Sequence, residues 1–466
     1  MKVVLIYPGV FFSTPTFEKE YKDVPNFNIP LGILYLGQIL KDNGHKVTLY
    51  DHYVSGAPVN SVINWLKTLN PDVVGFSVLS ATLNTANAIA KKAKEWNPNL
   101  IIIYGSYLPT FCAREILNDC EYIDICVRGE GEHTIIELMD ALEKNSSLGN
   151  ILGISFKDNG KIIENPDRPL IQDLDSIPFP NRELIHQSYQ FHEKIATIIT
   201  SRGCPYSCRF CSCWKFFKSK WRMRSIKNVI DEMLYLQANG FRELLLTDDC
   251  FNARPKRIMK LCYLMKKEKL DFAWHSIGRV TQSKIPFLRT IVSTGCKTLT
   301  YGIESGNQRI LDYYKKKATP LIAEQAVKNA KKAGIENIGA GFIIGAPTET
   351  REEVLNTIKF GFKLQKHGLN NLQFQILFVD PGTTLYEDFI AQGLIDPEKD
   401  WNKRIPAVDR FPNSLSHQYL EQLSRRAFKD FVSSKCLIVS EYFKSIKSLY
   451  RMKAVSRLIK LRGKNF

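Results

Sequence analysis

Thr200-Ser201-Arg202-Gly203-Cys204-Pro205-Tyr206-Ser207-Cys208-Arg209-Phe210-Cys211 is the stretch on which the reading of this chain turns. Its cysteines are spaced Cys-x3-Cys-x2-Cys, with an aromatic directly before the third. Three thiolates on one short loop suit a cubane iron–sulfur cluster. A [4Fe–4S] cluster ordinarily takes four cysteine ligands, so three leave one iron open to hold something else. A structural zinc site more often shows paired Cys-x2-Cys units and a fourth ligand at fixed distance, and neither is obvious here. The spacing favours Cys204, Cys208 and Cys211 as ligands of a cluster with an open iron over a zinc site.

Outward from the loop, the sequence alternates short apolar strands with amphipathic helices. Strands are expected at Ala196–Thr200, Glu243–Thr247, Phe272–Ile277, Thr298–Ile303, Phe342–Ile344 and Leu372–Phe378, with helices between them. Ser225 is placed to cap the first of these helices. Six such units are two short of an eight-fold barrel, so an open partial (β/α)6 barrel is expected. Its site would lie at the carboxyl ends of the strands, which is where the cysteine loop falls.

The first 145 residues carry a second alternation, with strands at Val3–Tyr7, Lys46–Tyr50, Val73–Phe76, Leu100–Tyr104 and Tyr122–Val127. Five βα units predict an open doubly wound parallel sheet, with ligands beyond the strands' carboxyl ends. No Gly-x-Gly-x-x-Gly follows the first strand, which disfavours a dinucleotide. Asp158-Asn159-Gly160 is a strong hairpin signal, and Pro166, Pro169, Pro178 and Pro180 argue against helix after it. The expected division is thus an α/β domain over 1–145, a hairpin and Pro-rich linker over 146–190, the barrel over 191–400 and a small helical region over 401–466.

Composition sets the remaining bounds. A length of 466 residues implies two or three domains. The apolar fraction of 44% and charged fraction of 24% are those of a globular protein. No apolar run is long enough for a transmembrane helix, and the N-terminus does not resemble a secretory signal. Eleven cysteines without a regular framework fit a reducing cytosol. The net charge is +17, and residues 440–466 hold eight Lys or Arg against one acid, hence +7 of it. This basic stretch has apolar residues at helical spacing. It could pack one face on the body, lie on an anionic membrane surface, or bind nucleic acid, the last being the least favoured.

With the cysteine loop at the end of the first barrel strand, the chain closely resembles the radical S-adenosylmethionine (AdoMet) superfamily. Leu246-Thr247-Asp248-Asp249, Tyr301-Gly302-Ile303-Glu304-Ser305-Gly306, Gly341-Phe342-Ile343-Ile344-Gly345-Ala346-Pro347 and Pro381-Gly382-Thr383-Thr384-Leu385-Tyr386 carry the resemblance through the barrel. The first half resembles the cobalamin-binding domain of one large subclass. The carrying residues are Pro30-Leu31-Gly32-Ile33-Leu34-Tyr35-Leu36-Gly37, Asp124-Ile125-Cys126-Val127-Arg128-Gly129-Glu130-Gly131-Glu132 and Asp175-Ser176-Ile177-Pro178-Phe179-Pro180. One departure stands out. Many cobalamin domains place a histidine on cobalt with Asp-x-His-x-x-Gly, whereas here Asp51-His52-Tyr53-Val54-Ser55-Gly56 puts Tyr53 at the histidine position.

The resemblance implies three cofactors: a [4Fe–4S] cluster on Cys204, Cys208 and Cys211, AdoMet on its open iron, and cobalamin. It implies methylation of an unactivated carbon through a 5′-deoxyadenosyl radical and methylcobalamin. Radical cyclisation or carbon–carbon bond formation is the alternative, and RNA methylthiolation a weaker one. Asp249 and Glu304 are the candidate catalytic residues. Phe210, Asp248, Arg279, Glu304, Gly341 and Gly345 are candidates for holding AdoMet or substrate. Because neighbours on a strand face opposite ways, one of Asp248 and Asp249 is expected to serve structure. Ser77, Ser80, Thr82 and Gly105, with Ser106 and Tyr107, are candidates for lining a corrin. Cys213 and Cys250 are either donors near substrate or buried apolar groups, and the spacing of Cys112, Cys120 and Cys126 matches no ligand pattern. The implied partners are a small-molecule or lipid substrate, an electron donor such as flavodoxin or ferredoxin, and, through the basic tail, a membrane surface.

Overall fold

The computed structural model describes residues 1–9, 30–186, 194–411 and 415–433; the basic stretch 440–466 lies outside them. The chain packs as two units. One comprises Met1–Phe251, Tyr263–Ala273 and Val379–Arg404; the other comprises Asn252–Cys262, Trp274–Phe378 and the residues from Ile405 onward.

The first unit is built on a seven-stranded sheet. Its strands are β1 (Lys2–Tyr7), β2 (Lys46–Asp51), β3 (Val73–Ser77), β4 (Ile101–Gly105), β5 (Ile125–Val127), β6 (Ile154–Asp158) and β7 (Lys161–Glu164), in the order β2-β1-β3-β4-β5-β6-β7. The first five are parallel. Residues from alternate positions feed two cores. Val4, Ile6, Val74, Phe76, Ile102 and Tyr104 face one, and Val3, Leu5, Val73, Ile103 and Ile125 the other. Burial on both faces is why these strands read as continuous apolar runs. The predicted hairpin forms β6 and β7, and it joins the sheet antiparallel to β5. That edge extension was not foreseen: hairpin signals are local, whereas the partner of a hairpin is a long-range choice.

Further along the first unit, β8 (Lys194–Ile198) leads to a two-residue ribbon in which β9 (Ser201–Arg202) pairs antiparallel with β10 (Arg222–Met223). Next, β11 (Phe241–Leu246) pairs in parallel with β8. The Pro-rich linker and the cysteine loop pack within this unit, so the boundary expected at 146–190 falls inside it.

In the second unit, β12 (Ala273–Gly278), β13 (Cys296–Glu304), β14 (Asn337–Ile344) and β15 (Asn371–Ile376) form a parallel run with β12–β13, β13–β14 and β14–β15 pairings. Helices Pro320–Ala333, Arg351–Lys366 and His417–Val432 belong to the same unit. All six expected barrel strands are present, and the α/β class stands as read. The helix Arg351–Lys366 starts on a capping box from Thr350 and Glu353. Among the described residues, no helix is long and apolar enough to cross a membrane.

Candidate functional site

The cysteine loop hangs between β9 and β10, and a single carboxylate organises its entry. Asp248, at the end of β11, accepts from Thr200 N (2.5 Å), Thr200 Oγ1 (2.6 Å), Ser201 N (3.2 Å) and Ser201 Oγ (3.0 Å). With four donors on two buried oxygens, Asp248 has its lone pairs occupied by the chain. Its neighbour Asp249, in the turn beyond β11, accepts from Gly203 N at 2.9 Å instead. Burial is the main cause holding the Asp249 carboxyl above its ordinary value.

Gly203 is dictated by geometry. Its φ is +85°, and a Cβ there would stand 2.2 Å from the Lys220 carbonyl oxygen. Beyond it, Cys208 is buried while Cys204 and Cys211 are partly exposed, and Cys211 N donates to Cys208 O at 3.1 Å. Phe210 is half-buried on the same turn. The loop is tied from outside by Arg209, which bonds Asp388 at 2.5 Å and accepts from Leu385 N at 3.0 Å.

Among the described residues, no three His, Cys, Asp or Glu side chains converge on a point that one metal ion could fill. Cys112, Cys120 and Cys126 are buried in the core of the first sheet, where burial pushes their thiols up.

A cavity of about 370 Å³ opens on the first sheet. The strand order reverses between β1 and β3, the position where open α/β sheets bind ligands. Val3 and Leu5 of β1 with Val73, Gly75, Phe76 and Ser77 of β3 accordingly line the cavity. Gly105, Ser106 and Tyr107 line it at the end of β4. Ser106 adopts a φ of +89°, a strained conformation for a residue with a side chain. Ser201, Arg202, Phe216, Phe217, Thr247 and Asp249 complete the wall, so residues flanking the cysteine loop share the cavity with the strand ends.

Ser77 and Gly105 are among the lining residues. Ser80 and Thr82 are not among the lining residues. The Thr82 hydroxyl instead closes its own turn, accepting from Leu79 N at 2.9 Å. Neither His52 nor Tyr53 lines the cavity. The Nδ1 of His52 accepts from Gly9 N at 3.1 Å, and Nε2 donates to Ala57 O at 2.9 Å. With both ring nitrogens engaged and burial holding its pKa low, His52 is a structural residue. An apolar, glycine-containing floor rimmed by hydroxyl and charged groups fits a broad flat ring with a polar edge.

The rim also holds an ion network that the sequence did not reveal. Arg202 donates to Glu130 Oε1 at 2.8 Å and to Glu132. Arg222 grips Glu130 in a fork at 2.8 and 2.9 Å, and Ile171 N donates to the same carboxylate at 2.9 Å. All four charged side chains are at least nine-tenths buried.

In the second unit the expected residues fall into two groups. Glu304 ends β13 at a φ of +70°, and its carboxylate accepts from Lys316 Nζ at 2.5 Å. A Cβ on Gly302 would meet that carboxylate at 2.5 Å, so a larger residue there would displace the Glu304 side chain. Arg279 is clasped by Asn252 through its N–H and carbonyl at 2.8 Å each, and its guanidinium bonds the Lys316 carbonyl. The second group is the turn after β14. Gly341 has open space at its Cβ position. Gly345 has a φ of +88° and lies 2.8 Å from Leu420 by the same measure. Glu349 accepts from Gly345 N at 2.6 Å and Ala346 N at 3.1 Å. Burial pushes this carboxyl up to about 7, against the two N–H groups that favour its charged form. Lys316, Asn252 and Glu349 went unread because a charge on a loop does not announce its partner.

Residues 198–361 match the radical SAM superfamily, and residues 22–139 match the B12 binding domain. An uncharacterized methyltransferase, PH0819 of Pyrococcus horikoshii, is 35% identical over 95% of both chains. Cytidylyl-2-hydroxyethylphosphonate methyltransferase of Streptomyces wedmorensis is 27% identical, covering 91% of this chain and 90% of that one. Among solved structures, the radical S-adenosylmethionine methyltransferase TsrM from Kitasatospora setae aligns at a TM-score of 0.68 and 18% identity. That alignment covers 84% of this chain and 78% of the other. The cobalamin-dependent enzyme OxsB aligns at 0.70 and 18% identity, covering 99% and 71%.

Proposed function

Because the chain belongs to the cobalamin-binding branch of the radical SAM superfamily and is a methyltransferase of that kind, we propose that it transfers a methyl group to an unactivated carbon of a small molecule. The cluster with AdoMet supplies a carbon-centred radical when bound, and the corrin supplies a methyl group. The chain's own residues orient and enclose. Asp248 and Gly203 fix the entry of the cysteine loop, and Cys204, Cys208 and Cys211 are the cluster ligands. Ser77, Gly105, Ser106 and Tyr107 receive the corrin edge. Asp249 bridges the two regions, lining the cavity while holding Gly203. In the second unit, Glu304, paired with Lys316, and the Gly341–Gly345 turn are the candidates that the resemblance offers for AdoMet. Glu304 is offered as a positioning group, since its carboxylate is paired.

One observation carries this reading: a single cavity at the β1–β3 reversal is walled by residues that flank the cysteine loop. Its test is a Gly105→Phe variant, whose ring would enter the cavity, since a Cβ at Gly105 has no neighbour closer than 3.8 Å. The reconstituted variant should lose cobalamin and keep its iron. Undiminished cobalamin binding would refute the assignment of the cavity.

Cyclisation stays as a second reading because an anaerobic magnesium-protoporphyrin IX monomethyl ester cyclase of Rubrivivax gelatinosus is 28% identical over 75% of this chain. Product mass separates the two, since methylation adds a carbon and ring closure removes hydrogen. An external one-electron donor is required in either case. A lipid substrate or membrane-surface partner rests on the basic residues between 440 and 466.

A further inference from the structure

Arg202 and Arg222 are register partners on the β9–β10 ribbon, directly opposite one another at the neck of the cysteine loop. Like charges at such positions repel and open a ribbon, and a two-residue ladder has little else to resist them. Here both guanidiniums bond one carboxylate. Glu130 takes Arg202 on Oε1 at 2.8 Å, and takes the two arms of Arg222 on its two oxygens at 2.9 and 2.8 Å. Glu132 adds the second bond to Arg202. Glu130 comes from the loop after β5, far from the ribbon in sequence, and that loop is part of the cavity wall. Glu130, Glu132 and Arg202 all line the cavity. The Ile171 N–H also ends on Glu130, at 2.9 Å, so the linker is pinned to the same oxygen pair.

Removing one member of a buried, hydrogen-bonded ion set leaves an uncompensated charge, which costs far more than losing a surface pair. Glu130 thus ties both arginines at the neck of the cysteine loop to the cavity wall. A coupling between two sites acts in both directions.

We propose that Glu130 is a positioning residue that couples occupancy of the cavity to closure of the cysteine loop, so that bound corrin protects the cluster. The proposal rests on the reading of the cavity as the corrin site. Glu130 acts through its bonds to Arg202 and Arg222.

The test uses the full chain, anaerobically reconstituted with iron and sulfide, with and without hydroxocobalamin. Iron release to a chelator such as bathophenanthroline is followed by absorbance, and cobalamin retention is measured by gel filtration. In the unmodified protein, cobalamin should slow iron release by about tenfold, within the usual span of coupling between sites. In Glu130→Gln at saturating cobalamin, the ratio of the two release rates should fall towards one. Should Glu130→Gln fail to assemble a cluster, Glu132→Gln, which removes one of the bonds to Arg202, should show an intermediate ratio. Glu137→Gln, which alters only an exposed pair with Arg168, should match the unmodified protein. An unchanged protection ratio in Glu130→Gln, or in Glu132→Gln when that variant stands in for it, would overturn the coupling. Failure of the unmodified protein to retain cobalamin would overturn the reading of the cavity as well, so the two failures are distinguishable.

Discussion

Replacing Gly203 by alanine probes the cysteine loop with one methyl group. The added Cβ would stand 2.2 Å from the Lys220 carbonyl oxygen, where real contacts stay beyond 3.0 Å. The φ of +85° adds a second cost, roughly 1–2 kcal/mol for a residue with a side chain. To relieve the contact, the backbone at Gly203 or Lys220 must move by about 1 Å, a shift on the scale at which hydrogen bonds are lost. Three bonds are exposed to that movement: Gly203 N to Asp249 at 2.9 Å, Lys220 N to Phe217 O at 2.8 Å and the β9–β10 pairing. Each is worth about 1 kcal/mol. The total is roughly 3–5 kcal/mol, confined to the loop, which lowers the closed population by about two to four orders of magnitude. The assay is iron and sulfide per chain after anaerobic reconstitution, with the reduced cluster's EPR signal and a circular-dichroism melt alongside. Gly203→Ala should lose most of its cluster while its secondary structure persists. Full iron content with an unaltered signal would refute the argument.

Other expectations follow from the same contacts. Asp248→Asn places an amide donor among four donors that now end on a carboxylate. It should cost about 2–4 kcal/mol in urea unfolding and lower cluster yield, whereas a change below about 0.5 kcal/mol would contradict its structural role. Glu349 has its folded-state pKa raised from 4.5 to about 7. The folded state therefore binds the extra proton, and the stability Glu349 contributes is present below pH 4.5 and lost as pH rises through 7. The loss amounts to about 3 kcal/mol at most, and Glu349→Gln should flatten that part of a urea-derived stability–pH curve. Deleting residues 440–466 should reduce flotation with anionic vesicles; equal flotation of both proteins would remove the membrane reading.

The strands and helices could be read from sequence because each is declared by its own residues. Buried parallel strands such as β1 and β3 are apolar but for an end residue, and Ser225 and Thr350 mark helix starts by cap chemistry. The cysteine loop was legible for the same reason, since its three thiols lie close together in the chain. What joins distant segments was not. Nothing near Glu130 names Arg222 as its partner, nothing near Glu304 names Lys316, and the divergence of Asp248 from Asp249 became specific only once the donors of Thr200 and Ser201 were in place. Ser80 and Thr82 show the converse error. Hydroxyls after a strand look available for ligand, yet the Thr82 hydroxyl bonds its own turn, a local competition common for threonine.

The central claim, a cobalamin-dependent methyltransferase built around the cysteine loop, is tested most directly by one mass-spectrometric measurement. The reconstituted full chain is incubated anaerobically with cobalamin, a reductant and AdoMet carrying a deuterated methyl group, and the corrin retained by the protein is weighed. The account predicts one retained corrin per chain bearing the deuterated methyl group, and loss of that retained, labelled corrin in Gly105→Phe. A chain that retains no corrin, or retains one that never acquires the label, would contradict it.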